Sequence, residues 1–364
     1  MKKIGKQVLF LATGENNPRN GEDAFIRLKD GRIMHAYTKF IGNSWDDGAT
    51  ANIVTHYSYD EGESWTETRT VIEHTDYARN AMCANLIRLG NDDLGIMYVR
   101  KIDETQNVQI ELRRSSDEGE TWSEPVRIPF VEDSYYVIEN DHLIKLSSGR
   151  LLLPLNHHPY LHTNEKGEKI FNGHGKMTFA ASDDDGKTWY NLCDEYDLPY
   201  PEISGTGLQE TVIYEKLDGT LRAFSRTDLL CQYESCSLDG GRTWTMPKPN
   251  TFFSSPTSPL NIKRLQNGMV AAVFNPVPGL AAHDPDNTRN RNWGRTPFVL
   301  AISNDDGKTF PNIYFIEDDL SNGYCYPSIF DGGDYMLIGY YHSNGTGIPL
   351  NSNKVVKVFY DELD

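Results

Sequence analysis

A few unrepeated residues of this 364-residue chain have the types and spacing that chemistry needs. In SGTGLQETVIYEKLDGTLRAFSRTD, Glu210 opens one apolar stretch and Arg226 closes the next, with an Asp218-Gly219 turn between them. Strands joined by a tight turn bring residues at their far ends back side by side. A carboxylate then meets a guanidinium, as an ordinary cross-strand ion pair or as a base beside an anion-binding group. Farther on, SNGYCYPSIF places Tyr324 and Tyr326 two residues apart, on one face of an extended strand. Among 20 tyrosines, packing in the core or at the rim is the default role of any one. NRNWGRTPFVLAISNDDGKTF adds Arg295 at a strand entrance, with Arg289 and Arg291 as neighbouring alternatives.

A more conspicuous acidic stretch, SDDDGKTW from Ser182, looks like a calcium loop. An EF-hand loop needs glycine at its sixth position and glutamate at its twelfth. Counted from Asp183, those positions hold Thr188 and Asp194. The string also recurs as SYDEGESW, SSDEGETW, SLDGGRTW and SNDDGKTF, with the invariant aspartate at Asp60, Asp117, Asp184, Asp239 and Asp305. Each fixed residue has a turn function: Asp accepts backbone N–H groups, Gly takes positive φ, and Ser or Thr caps. These boxes are therefore read as structure.

The elements that hold the unrepeated residues follow from a second marker. Apolar stretches are interrupted by short turns at Asp30-Gly31, Asp92, Ser148-Gly149, Asp218-Gly219, Asn267-Gly268 and Gly332, the hairpin signal. Six such hairpins alternate with five boxed ones, at a period of about 60 residues where propeller blades need about 40–50. The expectation is an all-β, six-bladed propeller of four-stranded antiparallel blades, forming one domain over residues 1–364. Its inner strands are joined by the Gly turns and its outer strands by the boxes. KQVLFLA at the front pairs with KVVKVFY near Val356 to close the ring.

Composition restricts the partners. A formal charge of −17 without a basic run argues against nucleic acid or an anionic membrane. Five cysteines without CxxC spacing argue against a disulfide framework or structural zinc. The opening apolar patch VLFLA is shorter than a secretory core of roughly 7–15 residues, and no run approaches the roughly 20 that span a bilayer. A cytoplasmic protein without cofactor or metal is expected, with its oligomeric state left open.

Five boxes on six blades resemble the sialidase (neuraminidase) superfamily over nearly the whole chain. The resemblance implies an exo-acting, retaining glycoside hydrolase that cleaves a terminal acidic sugar. It further implies a tyrosine nucleophile paired with a glutamate, an aspartate as acid/base, and an arginine triad on the substrate carboxylate. Tyr326 matches the nucleophile and Glu210 its base; Arg226 and Arg295 match the second and third arginines. For the first arginine, NNPRNGEDAFIRLKDGRI offers Arg19, with Arg27 fitting less well, and TKFIGNSWDDGATANIV offers Asp46 and Asp47, of which Asp47 is preferred as acid/base. A neutral phenol suits an anomeric carbon bearing its own carboxylate, since a carboxylate nucleophile would be repelled.

One long insertion, LNHHPYLHTNEKGEKIFNGHG, carries His157, His158, His162 and His174 without zinc spacing. It is read as a pocket wall, with His158 reaching the substrate. Asp141 and His142 in VIENDHLIKL are expected at the same mouth. The alternatives are a propeller glycosidase or lyase for another sugar, such as a uronic acid or rhamnose, and a carbohydrate-binding propeller without turnover.

Overall fold

The computed structural model describes residues 1–102, 108–129, 135–165, 169–278, 293–345 and 350–363. They form the expected ring of six small antiparallel sheets. Blade 1 runs through strands Asn20–Arg27, Ile33–Phe40, Ala51–Ser58 and Arg69–Ile72. Blade 2 spans Met82–Arg88 to Val126–Arg127, and blade 4 Gln209–Glu215 to Lys248–Ser254. Blade 5 spans Asn261–Arg264 to Asn312–Glu317. Blade 6 takes three strands from Tyr324–Asp331 to Ser352–Phe359, and its outer strand is the N-terminal Lys6–Leu11. Lys6 pairs with Lys357 and Gln7 with Val356, so the two ends of the chain close the ring at the expected place.

Blade 3 departs from the four-strand pattern. Its first strand is split into Tyr135–Val137 and Ile144–Lys145, both pairing with Leu151–His158. The intervening loop carries Glu139, Asn140, Asp141 and His142 inward. The histidine-bearing insertion adds its own ribbon, Tyr160–Thr163 against Lys169–Phe171.

Burial explains the assembly. Among the described residues, apolar clusters of buried strand residues lie between each pair of adjacent blades. Each blade thus hides both of its faces against neighbours, as a radial array requires.

The boxes are the expected turns. In SDDDGKTW, Ser182 Oγ donates to Asp184 Oδ1 (2.8 Å) and accepts from Gly186 N (2.8 Å). Thr188 N donates to Asp184 Oδ1 (2.9 Å) and Thr188 Oγ1 to Oδ2 (2.6 Å). The same bonds recur around Asp60, Asp117, Asp239 and Asp305. The flanking acids have separate partners: Asp183 pairs with Arg150, and Asp185 crosses to Arg114 of blade 2. Glu118 and Asp306, at the Asp185 position of other boxes, likewise reach the preceding blade at Lys29 N and Leu217 N. The boxes therefore join outer strands and also staple neighbouring blades.

Candidate active site

Glu210, Arg226 and Tyr326 come together from blades 4 and 6. Tyr326 Oη donates to Glu210 Oε1 at 2.8 Å, and Arg226 Nη1 lies 3.3 Å from the same phenol oxygen. Arg226 also pairs directly with Glu210, as the hairpin register, Gln209 opposite Arg226, dictates. Burial, followed by the Glu210 carboxylate, pushes the Tyr326 phenol well above its ordinary value. The phenol therefore keeps its proton at rest, with an acceptor already hydrogen-bonded to it.

Local backbone explains how both side chains turn inward. Glu210 and Tyr326 have φ of 46° and 56°, and the ladder register shifts across each of them. Such bulges re-aim one side chain out of the pleat. Glu22 in blade 1 and Cys83 in blade 2 have the same conformation at the same place. Sequence reading missed these two. The signal was present, because each residue stands nine positions before the positive-φ residue of its hairpin turn: Glu22 to Gly31, Cys83 to Asp92, Glu210 to Gly219.

Arg295 stacks between two aromatic rings, 5.0 Å from the Trp293 centroid and 5.3 Å from that of Tyr326. Thr257 O (3.1 Å from Nη2) and Cys325 Sγ (3.1 Å from Nη1) fix its guanidinium. Arg226, Arg295, Glu210 and Tyr326 border an open cavity of about 470 Å³, with Asp46, Asp47, His158 and the aromatic Trp45 and Trp293 around it. The alternatives Arg289 and Arg291 lie outside the described residues.

Arg19 is almost fully buried between the Phe40 and Tyr341 rings. It donates to Tyr341 Oη (2.7 Å), Trp45 O (3.1 Å) and Asp47 Oδ1 (2.6 Å), and pairs with Glu22. It faces a smaller chamber of about 100 Å³ beside the main cavity, whereas Arg226 and Arg295 face the main cavity. Asp47, Glu210 and Tyr326 border both spaces. The Asp47 side chain is 59% exposed, at the rim. Burial inside the concavity would raise its carboxyl, but Arg19 and Lys101 outweigh that and hold it below the ordinary range. Asp46 is turned to Ser44 Oγ (2.9 Å), at the mouth.

Two expectations are corrected. Asp141 and His142 do not reach the mouth, because the split strand of blade 3 carries them into the interior. Asp141 is ion-paired with Lys263 and accepts from Asn261 Nδ2 (3.1 Å) and Ile329 N (2.9 Å), tying blades 3, 5 and 6. His142 is buried against Thr211 O (3.0 Å). Within the insertion, His158 lines the main cavity with Nδ1 on Asn172 O (3.1 Å), and burial lowers it to about 4. His157 pairs with Glu195 and His174 with Asp197, while the His162 side chain lies outside those described. Among the described residues, the one group of three metal-capable side chains is elsewhere: Glu22, Cys83 and Glu139, with donor atoms within 4.8 Å of one another.

The chain matches the BNR repeat-like domain family over residues 31–342. It is 27% identical, over 218 residues, to the anhydrosialidase of Macrobdella decora, a match covering 57% of this chain. The chain spans about a quarter (25%) of the length of that relative. Among solved structures, a Dyadobacter fermentans protein of unknown function aligns with TM-score 0.69 at 18% identity, over 97% of this chain and 99% of that one. The NanB sialidase of Streptococcus pneumoniae gives 0.73 at 14%, covering 100% and 71%. The intramolecular trans-sialidase of Ruminococcus gnavus gives 0.73 at 14%, covering 99% and 98%. With five boxed turns on six blades and this family match across most of its length, the chain belongs to the BNR repeat-like family of the sialidase superfamily.

Proposed function

We propose that the protein is an exo-acting, retaining, sialidase-type glycoside hydrolase that removes a terminal sugar acid. The observation that carries this reading is the Tyr326–Glu210 hydrogen bond of 2.8 Å, beside Arg226, in a cavity that also meets Asp47 and Arg295. Arg226 and Arg295 receive the substrate carboxylate, which suits planar guanidinium forks. Tyr326 Oη attacks the anomeric carbon as Glu210 takes its proton, and Asp47 protonates the departing glycosidic oxygen. Water then attacks the tyrosyl glycoside, giving a proton to Asp47 while Glu210 returns its proton to Tyr326. Arg19 orients Asp47 and keeps it ionised until the substrate arrives. The incoming carboxylate adds negative charge to the pocket and moves Asp47 back toward its acid form.

The relative named anhydrosialidase supports a second outcome of the same first half-reaction, in which a hydroxyl of the sugar itself replaces water and an anhydro sugar leaves. Aryl glycosides of sialic acid, a uronic acid and rhamnose, assayed with wild type and Tyr326→Phe, test the reading. Mass analysis of the product separates free from anhydro sugar. Turnover of another sugar with sialosides inert would remove the sialidase assignment, and binding without any turnover would favour the carbohydrate-binding alternative.

A further inference from the structure

Two carboxyls of the small inner chamber have a hydrogen-bonding oxygen to spare: Glu210, whose Oε2 has no partner among the described residues, and Glu139. Arg19 spends its donors on Tyr341, Trp45 O, Asp47 and Glu22. Glu22 is taken by Arg19 and faces the Cys83 thiol (3.5 Å) and Thr38 Oγ1 (3.5 Å). Lys101 is hydrogen-bonded to Tyr135. Glu139, only 5% exposed, receives one backbone N–H, from Asn140 at 2.9 Å. Among the described residues no side chain is recorded donating to it and no cation pairs with it. Burial, then Glu210 and Glu22, push its carboxyl well above the ordinary carboxylate range. A buried carboxyl without a counter-ion is costly unless a ligand or a proton satisfies it.

Resting on the sialidase-type reading above, we infer that this chamber receives a hydrogen-bond-donating substituent of the sugar, a hydroxyl or a free amine, and that Glu139 reads it. The chamber adjoins the main cavity along Asp47, Glu210 and Tyr326, so a ring held against Tyr326 can project one substituent into it. An acylamide could offer its N–H to Glu139, but it would also bring a carbonyl acceptor among Glu22, Glu139 and Glu210, where the arginine donors are already committed. Like polar ends facing each other without donors lose more than a missing contact does.

The test uses 4-methylumbelliferyl glycosides of three nine-carbon keto-sugar acids that differ only at the fifth carbon: acetamido, free amine or hydroxyl. Wild type is expected to favour the amine or the hydroxyl over the acetamide by about 10-fold or more in kcat/KM, the discrimination of a site built around a buried polar group. Glu139→Gln is expected to erase most of that preference while changing the acetamido substrate less than about 3-fold. The amine and hydroxyl arms separate an ionised Glu139 from a protonated one. Preference for the acetamide by wild type, or an equal loss on all three with Glu139→Gln, overturns the inference. Binding of the three free sugars to Tyr326→Phe, followed by ligand NMR, separates it from the catalytic reading. The same order of binding without any turnover sustains the chamber and removes the glycosidase, whereas no binding removes both.

Discussion

Glu210 and Tyr326 occupy one equivalent station in two different blades, each on the first strand with a left-handed backbone, and their side chains meet at 2.8 Å. Left-handed φ at a non-glycine residue costs on the order of 1–3 kcal/mol and persists where surrounding structure over-determines it. Here the strands on either side supply that constraint, and the result is a phenol aimed at a carboxylate across the ring.

Removing either partner should stop chemistry without unfolding the blades. Tyr326→Phe and Glu210→Gln are each expected to lower kcat by about 10²–10⁴-fold, the range for positioned proton transfer. Melting temperature should stay close to that of wild type. Stopped-flow or endpoint fluorescence with the preferred aryl glycoside checks this; wild-type turnover by Tyr326→Phe would dismiss the nucleophile.

Arg226 and Arg295 should matter for the carboxylate specifically. Arg295→Lys keeps the charge but loses the fork, so kcat/KM for the sugar acid should fall by about 10–100-fold, as loss of a charge-assisted bond implies. Against the corresponding sugar carboxamide the same variant should lose little. Parallel losses on both substrates would place Arg295 in packing alone.

Gly339 tests the seam between blades 6 and 1. A Cβ there would come within 2.0 Å of Asp23 Oδ2. Asp23 cannot easily yield, since it is held by His35 (2.8 Å), Ser328 Oγ (2.7 Å) and Asn353 Nδ2 (3.0 Å). Gly339→Ala should therefore destabilise by about 1–3 kcal/mol, the cost of overpacking, read by chemical denaturation. The exposed turn glycine Gly31, with open space around it, is unsuitable as a control because its φ is 91°.

Acid should unfold the protein in two stages. Burial lowers His56 to about 2, His142 to about 3 and His158 to about 4. The unfolded chain protonates these near pH 6.5 while the folded one does not, so stability falls as pH drops below about 6.5. Hydrogen bonds from Thr121, Thr188 and Thr309 hold Asp117, Asp184 and Asp305 at about 2. Their contribution is present above the unfolded value of about 3.9 and is lost toward pH 2. Melting temperature measured from pH 8 to 3 should decline from near neutrality; a flat profile down to pH 4 would contradict the histidine assignment.

The boxes and hairpin turns were legible because each is a local device. Asp184 finds its partners within four residues, at Ser182 and Thr188, so the string alone specifies the turn. Counting those turns yields six blades, and two-sided burial of the strands then leaves ring closure through Lys6–Leu11 as the means of pairing the last edge. Glu210 with Arg226 was legible for the same reason, being joined by one hairpin.

Contacts between blades were decided only by tertiary structure. Asp141 sits in a strand-like stretch, yet a break in blade 3 directs it to Lys263, more than a hundred residues away. Glu22, Cys83 and Glu139 belong to three blades and no short motif links them, so only the packing of blades 1, 2 and 3 against one another sets their donor atoms within 4.8 Å. Arg19 stands between the two cases: Glu22 and Asp47 are close to it in the chain, whereas Tyr341 reaches it from blade 6. Sequence determined this protein wherever partners lie within a turn or a hairpin. Where a side chain's charge is satisfied from across the central axis, its partner depended on packing that no local spacing encodes.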